Sequence, residues 1–339
     1  MRLSFFCISY GAKHNEMMLN VMLPSLLQSG NIPYLVQGKH QLDFDFHSVN
    51  GAEPEHIRAG AALERLGIKP HFHKIPLEKW NRSGKPSSPS EVAYPALLQQ
   101  IDLCLRRGSI MIFSPPDTYF GNGSIAGLLL CQQTELTSVA AVHVRVLDSA
   151  FREKIEGRQQ ISNADLVTTS LKTLHPVWAM SQSGLPVNNS ASSGHSITNV
   201  GGGLYLIRHC LPTPYLAAFR RSDLDWFLRH ADFHFWDWTW PAELIRQRRY
   251  AVAGSSEIFF AAELTAAAMN NQALGDTSAR FSDLGAHFAV NESFVISARA
   301  TESIDLRALY RPVIEQQLSL VYRPSSETKG TKIEASTHE

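Results

Sequence analysis

The run Ile110-Met-Ile-Phe-Ser-Pro-Pro-Asp117 is the sharpest chemical feature of the sequence. Its four apolar residues are too few for a helix and read as a strand that ends in a carboxylate. In a sheet whose strands alternate with helices, that places Asp117 at the carboxyl edge, where ligands bind. A carboxylate there can hold a divalent cation, which in turn holds a diphosphate. Pro115 and Pro116 stiffen the approach. The plainer reading is that Asp117 caps a turn before Gly121.

A second constellation is the segment from Asp225 to Pro241, which holds four of the six tryptophans: Trp226, Trp236, Trp238 and Trp240. If residues 233–240 are extended, His234, Trp236, Trp238 and Trp240 share one face. Aromatic faces beside carboxylates and imidazoles suit a sugar, with its apolar C–H face and polar rim. If the segment is helical, His230 and His234 share a face and could bind a metal. A packed aromatic cluster with hydrogen-bonded edges would give the same pattern. Further candidates are weaker. Gly194-His195-Ser196 and Gly201-Gly202-Gly203 fall in a Gly/Ser/Asn-rich stretch that reads as a long loop, without dinucleotide or P-loop spacing. His71 and His73 share a strand face. So do His143 and Arg145, and Arg145 could pair with a phosphate. Glu257 reads as a first-turn helix acid. No G-x-S-x-G elbow exists, which argues against a serine hydrolase.

The elements that must position these residues alternate in type. Strands are expected over Arg2–Ser9, Leu42–Val49, Pro70–Ile75, Ile110–Phe113 and, as one piece, Val139–Leu147. Helices are expected over His14–Leu27 (kinked at Pro24), Pro54–Leu66, Glu91–Arg107 and Ile125–Gln133, with turn formers over Ser83–Ser90. This β-α-β pattern predicts an α/β fold with a mostly parallel sheet and helices on both faces. Its carboxyl edge would carry Ser9-Tyr10-Gly11, His47-Ser48, His73-Lys74 and Ser114–Asp117. The second half is less regular: a helical pattern over Asn163–Met180, a short strand over Gly203–Arg208, helices over Leu224–His230 and Ala242–Arg249, a strand over Tyr250–Ala253 and a helix over Ile258–Met269. Residues 1–150 and 151–323 read as two halves of the same body, and 324–339 as a polar, disordered tail.

Composition narrows the function classes. The 339 residues carry 31 Lys plus Arg against 31 Asp plus Glu, so no broad positive field exists for nucleic acid. Charged residues make up 18% and hydrophobics 44%, which marks a globular chain. Cys7, Cys104, Cys131 and Cys210 include no C-x-x-C pair and read as buried, reduced thiols of a cytoplasmic protein. The short apolar start MRLSFFCISYG reads as a strand rather than a signal peptide, and no run is long enough to span a membrane.

The order of elements looks like that of the GT-A glycosyltransferases, whose nucleotide-sugar domain is a β-α-β sheet with an acidic D-x-D motif after a central strand. The sequence also resembles a loose group of bacterial GT-A-like proteins in its opening strand, in Met22–Pro33 (MLPSLLQSGNIP) and in Pro116–Ser124 (PDTYFGNGS). It departs from D-x-D in offering the single Asp117. The resemblance, over roughly residues 1–265, implies transfer of a sugar from a nucleotide-diphosphate sugar to a carbohydrate or other hydroxyl acceptor, with residues 1–150 as the nucleotide-sugar-binding half and 151–323 as the acceptor-shaping, catalytic half. It implies that Ser9, Tyr10, Gly11, His47, Asp117 and Arg145 line the donor, and that Asp117 holds Mn²⁺ or Mg²⁺. His234 or Asp237 would act on the acceptor, with Trp236, Trp238 and His195 as a sugar platform. A GT-A-like binding module without catalysis and a sugar nucleotidyltransferase are the alternatives.

Overall fold

A computed structural model describes residues 1–77, 89–179, 195–209, 212–230, 239–266 and 294–311. The first three strands are β1 (Arg2–Ser9), β2 (Gln41–Ser48) and β3 (Lys69–Lys74). They are followed by β4 (Ile110–Phe113), β5 (Thr118–Phe120), β6 (Ser138–Ala141) and β7 (His143–Leu147). The later strands are β8 (His195–Gly201), β9 (Leu204–His209), β10 (Thr213–Ala217), β11 (Tyr250–Val252), β12 (Ala261–Thr265) and β13 (Phe294–Arg299). Seven of these build one sheet in the order β11-β6-β10-β4-β1-β2-β3. Its pairs are parallel except those of β10, which runs against both β4 and β6. The mostly parallel α/β sheet expected from the sequence is therefore present, and it draws strands from both halves of the chain.

Both faces of this sheet are covered, as a parallel sheet requires. On one face Leu3, Phe5, Cys7, Phe44 and Phe46 pack against the helices Pro54–Glu64 and Ser124–Leu130 and the helical stretch from Ala12 to Leu26. That stretch widens into a π turn at Met18–Met22 and runs on without a break into Leu23–Leu26, whose first turn carries Pro24. On the other face Phe6, Ile8 and Met111 meet the helices Pro89–Arg107, Arg221–Arg229 and Thr239–Arg246. Trp240 belongs to this core, 5.5 Å from Phe219 and 5.3 Å from Phe227 between ring centres.

The second face also buries charge. Asp45 is fully buried and accepts from Arg107 at 2.8 Å, from Gln100 at 3.1 Å and from the Ser4 hydroxyl, with His73 Nε2 2.8 Å away. His71 Nε2 lies 3.2 Å from Asp43, which also binds Arg2 at 2.7 Å. The acid partners of the two imidazoles thus come from β2, across the sheet, and not from nearby sequence.

Four expectations are corrected. Residues 139–147 are not one strand: the chain leaves the large sheet at Val142, and β7 enters a second sheet ordered β5-β12-β7. Residues 261–265 of the expected last helix form β12, because pairing with β5 and β7 overrides the helix propensity of Ala261, Ala262, Glu263 and Leu264. His195–Gly203 is not loop: β8 and β9 form a hairpin, with β13 beside β9, and Gly201, Gly202 and Gly203 turn it at positive φ. The helical pattern over Asn163–Met180 divides into Asn163–Lys172 and Pro176–Ala179. Cys7 and Cys104 are buried free thiols and Cys131 is half-buried. Among the described residues no helix is long and apolar enough to cross a membrane.

Candidate functional site

Asp117 sits where strand β4 ends. The backbone of Ser114 still pairs with β1, donating to Phe6 at 2.9 Å, and Thr118 then donates back to Pro115 at 3.1 Å to close a turn. Two prolines, which have no N–H to satisfy, make that turn without orphaned donors. The chain continues as β5 in the second sheet, and the Asp117 carbonyl accepts from Leu264 of β12 at 2.7 Å. The aspartate thus stands at the join between the two sheets.

The join is fixed by the two segments that carry the sequence resemblance. Asn31 is fully buried. Its Nδ2 donates to Ser25 at 2.9 Å and to Gly121 at 3.0 Å, and its Oδ1 accepts from Gly123 and Ile125, both at 3.1 Å. Gly30 donates to Asn122 at 2.7 Å, and a Cβ at Gly30 would lie 2.8 Å from the Gly123 nitrogen. Met22–Pro33 and Pro116–Ser124 are therefore one interlocked unit, which sets the path of the chain leaving Asp117.

The parallel register of β7 and β12 sets Arg145 opposite Glu263 and His143 opposite Ala261. His143 and Arg145 share a face, as their spacing predicts, and both reach Glu263. Arg145 Nε lies 3.0 Å from Glu263 Oε1, and His143 Nε2 lies 2.7 Å from Oε2. The other imidazole nitrogen, Nδ1, is 3.1 Å from the buried Tyr215 hydroxyl. An ionised Glu263 accepts from Nε2–H, which leaves Nδ1 of a neutral ring to accept from Tyr215. His175 joins the same neighbourhood: its N–H donates to the Arg145 carbonyl at 2.9 Å, and its Nε2 lies 3.2 Å from the Ala266 carbonyl.

Two carboxyl groups with opposite protonation preferences result. Burial, and then the nearby charge of Glu263, push the Asp117 carboxyl up to about 7. Burial also resists ionisation of Glu263, but Arg145 and His143 overcome it and hold the group well below the usual carboxylate range. The Tyr10 phenol is raised by burial and by the charges of Asp117 and Glu263, which places it at the same site. Paired carboxyls pushed apart in this way make the cluster a functional-site candidate.

The remaining sequence candidates are distributed differently. Gly11 is exposed, with φ +95°, and begins the helix that follows β1. Ser9 is buried with its hydroxyl 2.6 Å from His56 Nε2. The structure turns His47 inward: it is fully buried, its ring nitrogens 3.3 Å from Gln99 and 2.8 Å from Gln100, and burial lowers it to about 4. His234, Trp236, Asp237 and Trp238 lie outside the described residues, as does the tail from residue 324; for His195 only the backbone, in β8, is described. Sequence reading missed Glu263, His175 and Tyr215. Pairing across strands distant in sequence brings them to the site, and only the shared face of His143 and Arg145 pointed that way.

A divalent cation is poorly matched to this donor set. Ca²⁺ and Mg²⁺ take about six or more oxygen ligands, usually from several carboxylates and waters. Here both oxygens of Glu263 already face protein cations or donors, and among the described residues no group of three or more His, Cys, Asp or Glu side chains is placed to hold a metal.

No protein-family model matches the chain, and no curated protein does. The chain is similar in structure to mouse xyloside xylosyltransferase 1 in its apo form, at 13% identity and a TM-score of 0.30. That likeness covers 47% of this chain and 59% of the other, so the chain spans less than two thirds of that relative. It is also similar to the galactosyltransferase LgtC solved with donor and acceptor sugar analogues, at 12% identity and a TM-score of 0.38, over 92% of this chain and 100% of the other. Both are glycosyltransferases by name. At these TM-scores the likenesses carry no argument about activity, which rests on the geometry of the site.

Proposed function

We propose that this protein is a glycosyltransferase of GT-A type that moves a sugar from a nucleotide-diphosphate sugar to a hydroxyl acceptor. The observation that carries the reading is the placement of Asp117. It lies at the carboxyl end of a central strand of a mostly parallel sheet, within a cluster formed by Glu263, Arg145, His143 and Tyr10. The carboxyl end is where such sheets bind ligands. The nucleotide would lie along the ends of β1 and β4, against Tyr10 and Gly11, with its diphosphate towards Arg145.

In the transfer, the bond from the sugar C1 to the β-phosphate oxygen breaks and its electron pair stays on the phosphate. The acceptor oxygen forms the new bond to C1, and its proton passes to a base, for which His234 and Asp237 are the sequence candidates. Asp117 in its protonated form donates a hydrogen bond to a phosphate or sugar oxygen. No step is assigned to a divalent cation.

The test is thermal unfolding of the full chain with a panel of nucleotide sugars and their free sugars. At least one nucleotide sugar should raise Tm by several degrees where the free sugar does not. A panel without effect would refute the reading. The non-catalytic module would bind a nucleotide sugar or glycan without turnover, so a turnover assay separates it from the enzyme.

A further inference from the structure

Glu263 is the hinge of a second inference, which rests on the glycosyltransferase reading. An acidic pair at a sheet's carboxyl edge is the expected place for a divalent cation, yet the second acid here is already committed. Its Oε1 faces Arg145 Nε at 3.0 Å and its Oε2 faces His143 Nε2 at 2.7 Å. A metal binding to Glu263 would have to compete with a guanidinium and an imidazole that already hold its two oxygens. Among the described residues, Asp117 alone gives too few ligands for a tightly bound divalent ion.

The same contacts position a cation that belongs to the protein. The Arg145 side chain is 32% exposed and that of Glu263 19%, so the ion pair is partly open to solvent. A guanidinium is planar, permanently charged and able to present paired N–H groups to phosphate oxygens. Glu263 fixes its orientation, which lowers the entropy lost when a phosphate binds. His143, itself braced by Tyr215, holds the other side of Glu263 and keeps the carboxylate from rotating away.

We infer that Arg145, oriented by Glu263 and His143, contacts the donor diphosphate directly, and that nucleotide binding therefore needs no divalent cation. Arg145 is the binding residue; Glu263 and His143 are positioning residues.

The test is isothermal titration of the full chain with UDP, GDP, ADP, CDP and dTDP, each in EDTA and in Mn²⁺ or Mg²⁺. For the diphosphate that binds, Kd should agree within about twofold between the two conditions. Arg145→Gln should weaken it at least tenfold, and Arg145→Lys, which keeps the charge but not the fork, should fall between. Circular dichroism and the unliganded Tm establish that each variant folds. If Arg145→Gln does not fold, the metal comparison on the unmodified chain and the Lys variant still decide. Binding that is tenfold or more weaker in EDTA would overturn this inference and leave the glycosyltransferase reading standing, as would unchanged binding by Arg145→Gln. No binding of any diphosphate in either condition would overturn both.

Discussion

Arg145 and Glu263 face each other across parallel strands β7 and β12, with Nε and Oε1 3.0 Å apart, and this pairing keeps an ionised carboxylate beside Asp117. Burial alone would raise the Asp117 carboxyl, and the Glu263 charge adds to it. Glu263→Gln removes the added part. The Asp117 carboxyl, followed by its carbon chemical shift in a pH titration, is then expected to titrate about one unit lower than in the unmodified protein. An unchanged midpoint would mean that burial alone sets it.

Asp117 also makes a prediction about stability. Its folded-state value of about 7 lies above the ordinary carboxylate value. The unfolded chain therefore gives up this proton more readily, and stability falls as pH rises from about 4 to about 7. Asp117→Asn removes the ionisation. The variant should gain on the order of 1–2 kcal/mol relative to the unmodified protein at pH 8 compared with pH 5, the full shift being discounted for partial solvent access. Chemical denaturation at the two pH values measures it, and an equal effect at both would contradict the assignment.

Asn31 bridges the two segments that hold the site's join through four hydrogen bonds. Asn31→Ala leaves buried backbone donors and acceptors without those partners, at about 1–3 kcal/mol for each group that finds no replacement. A loss of about 3 kcal/mol or more is expected in denaturant unfolding. A loss below about 1 kcal/mol would show that the two segments do not depend on this side chain.

Much of the large sheet was legible in the sequence. Apolar runs ending at Tyr10-Gly11, at Ser48 and at Ser114-Pro-Pro mark β1, β2 and β4 to within a residue or two, because a strand buried on both faces reads as a continuous apolar or tightly alternating run. Of the candidate site, Asp117 and the shared face of His143 and Arg145 were legible, because both are local patterns. Glu263 was not. Its segment, Ala261-Ala-Glu-Leu-Thr265, has no strand periodicity of its own and becomes a strand only because β5 and β7 flank it. The break at Val142 was hidden for a related reason: two strands separated by one residue give one uninterrupted apolar pattern. Likewise the partners of His71 and His73 are Asp43 and Asp45 on a neighbouring strand, which spacing along one chain segment does not reveal.

Gly127 offers a geometric check on how β12 is placed. A Cβ there would lie 1.9 Å from the carbonyl oxygen of Ile258, in the turn that leads into β12. Gly127→Ala would gain about 1 kcal/mol of helix propensity within Ser124–Leu130. The backbone clash outweighs that, and a net loss of about 1–3 kcal/mol is expected in thermal unfolding. A stabilised variant would show that the helix and the β12 approach are not in this contact.

The central claim is that the cluster around Asp117 transfers sugar from a nucleotide-diphosphate donor. It is tested most directly by measuring release of free nucleoside diphosphate from a panel of nucleotide sugars, with and without simple sugar acceptors, for the unmodified chain and for Asp117→Ala, which removes the donor. The account predicts that one nucleotide sugar is consumed and that Asp117→Ala slows its consumption about a hundredfold or more while the variant remains folded. Turnover that is unchanged in the folded Asp117→Ala variant, or no turnover of any nucleotide sugar with any acceptor, would contradict it.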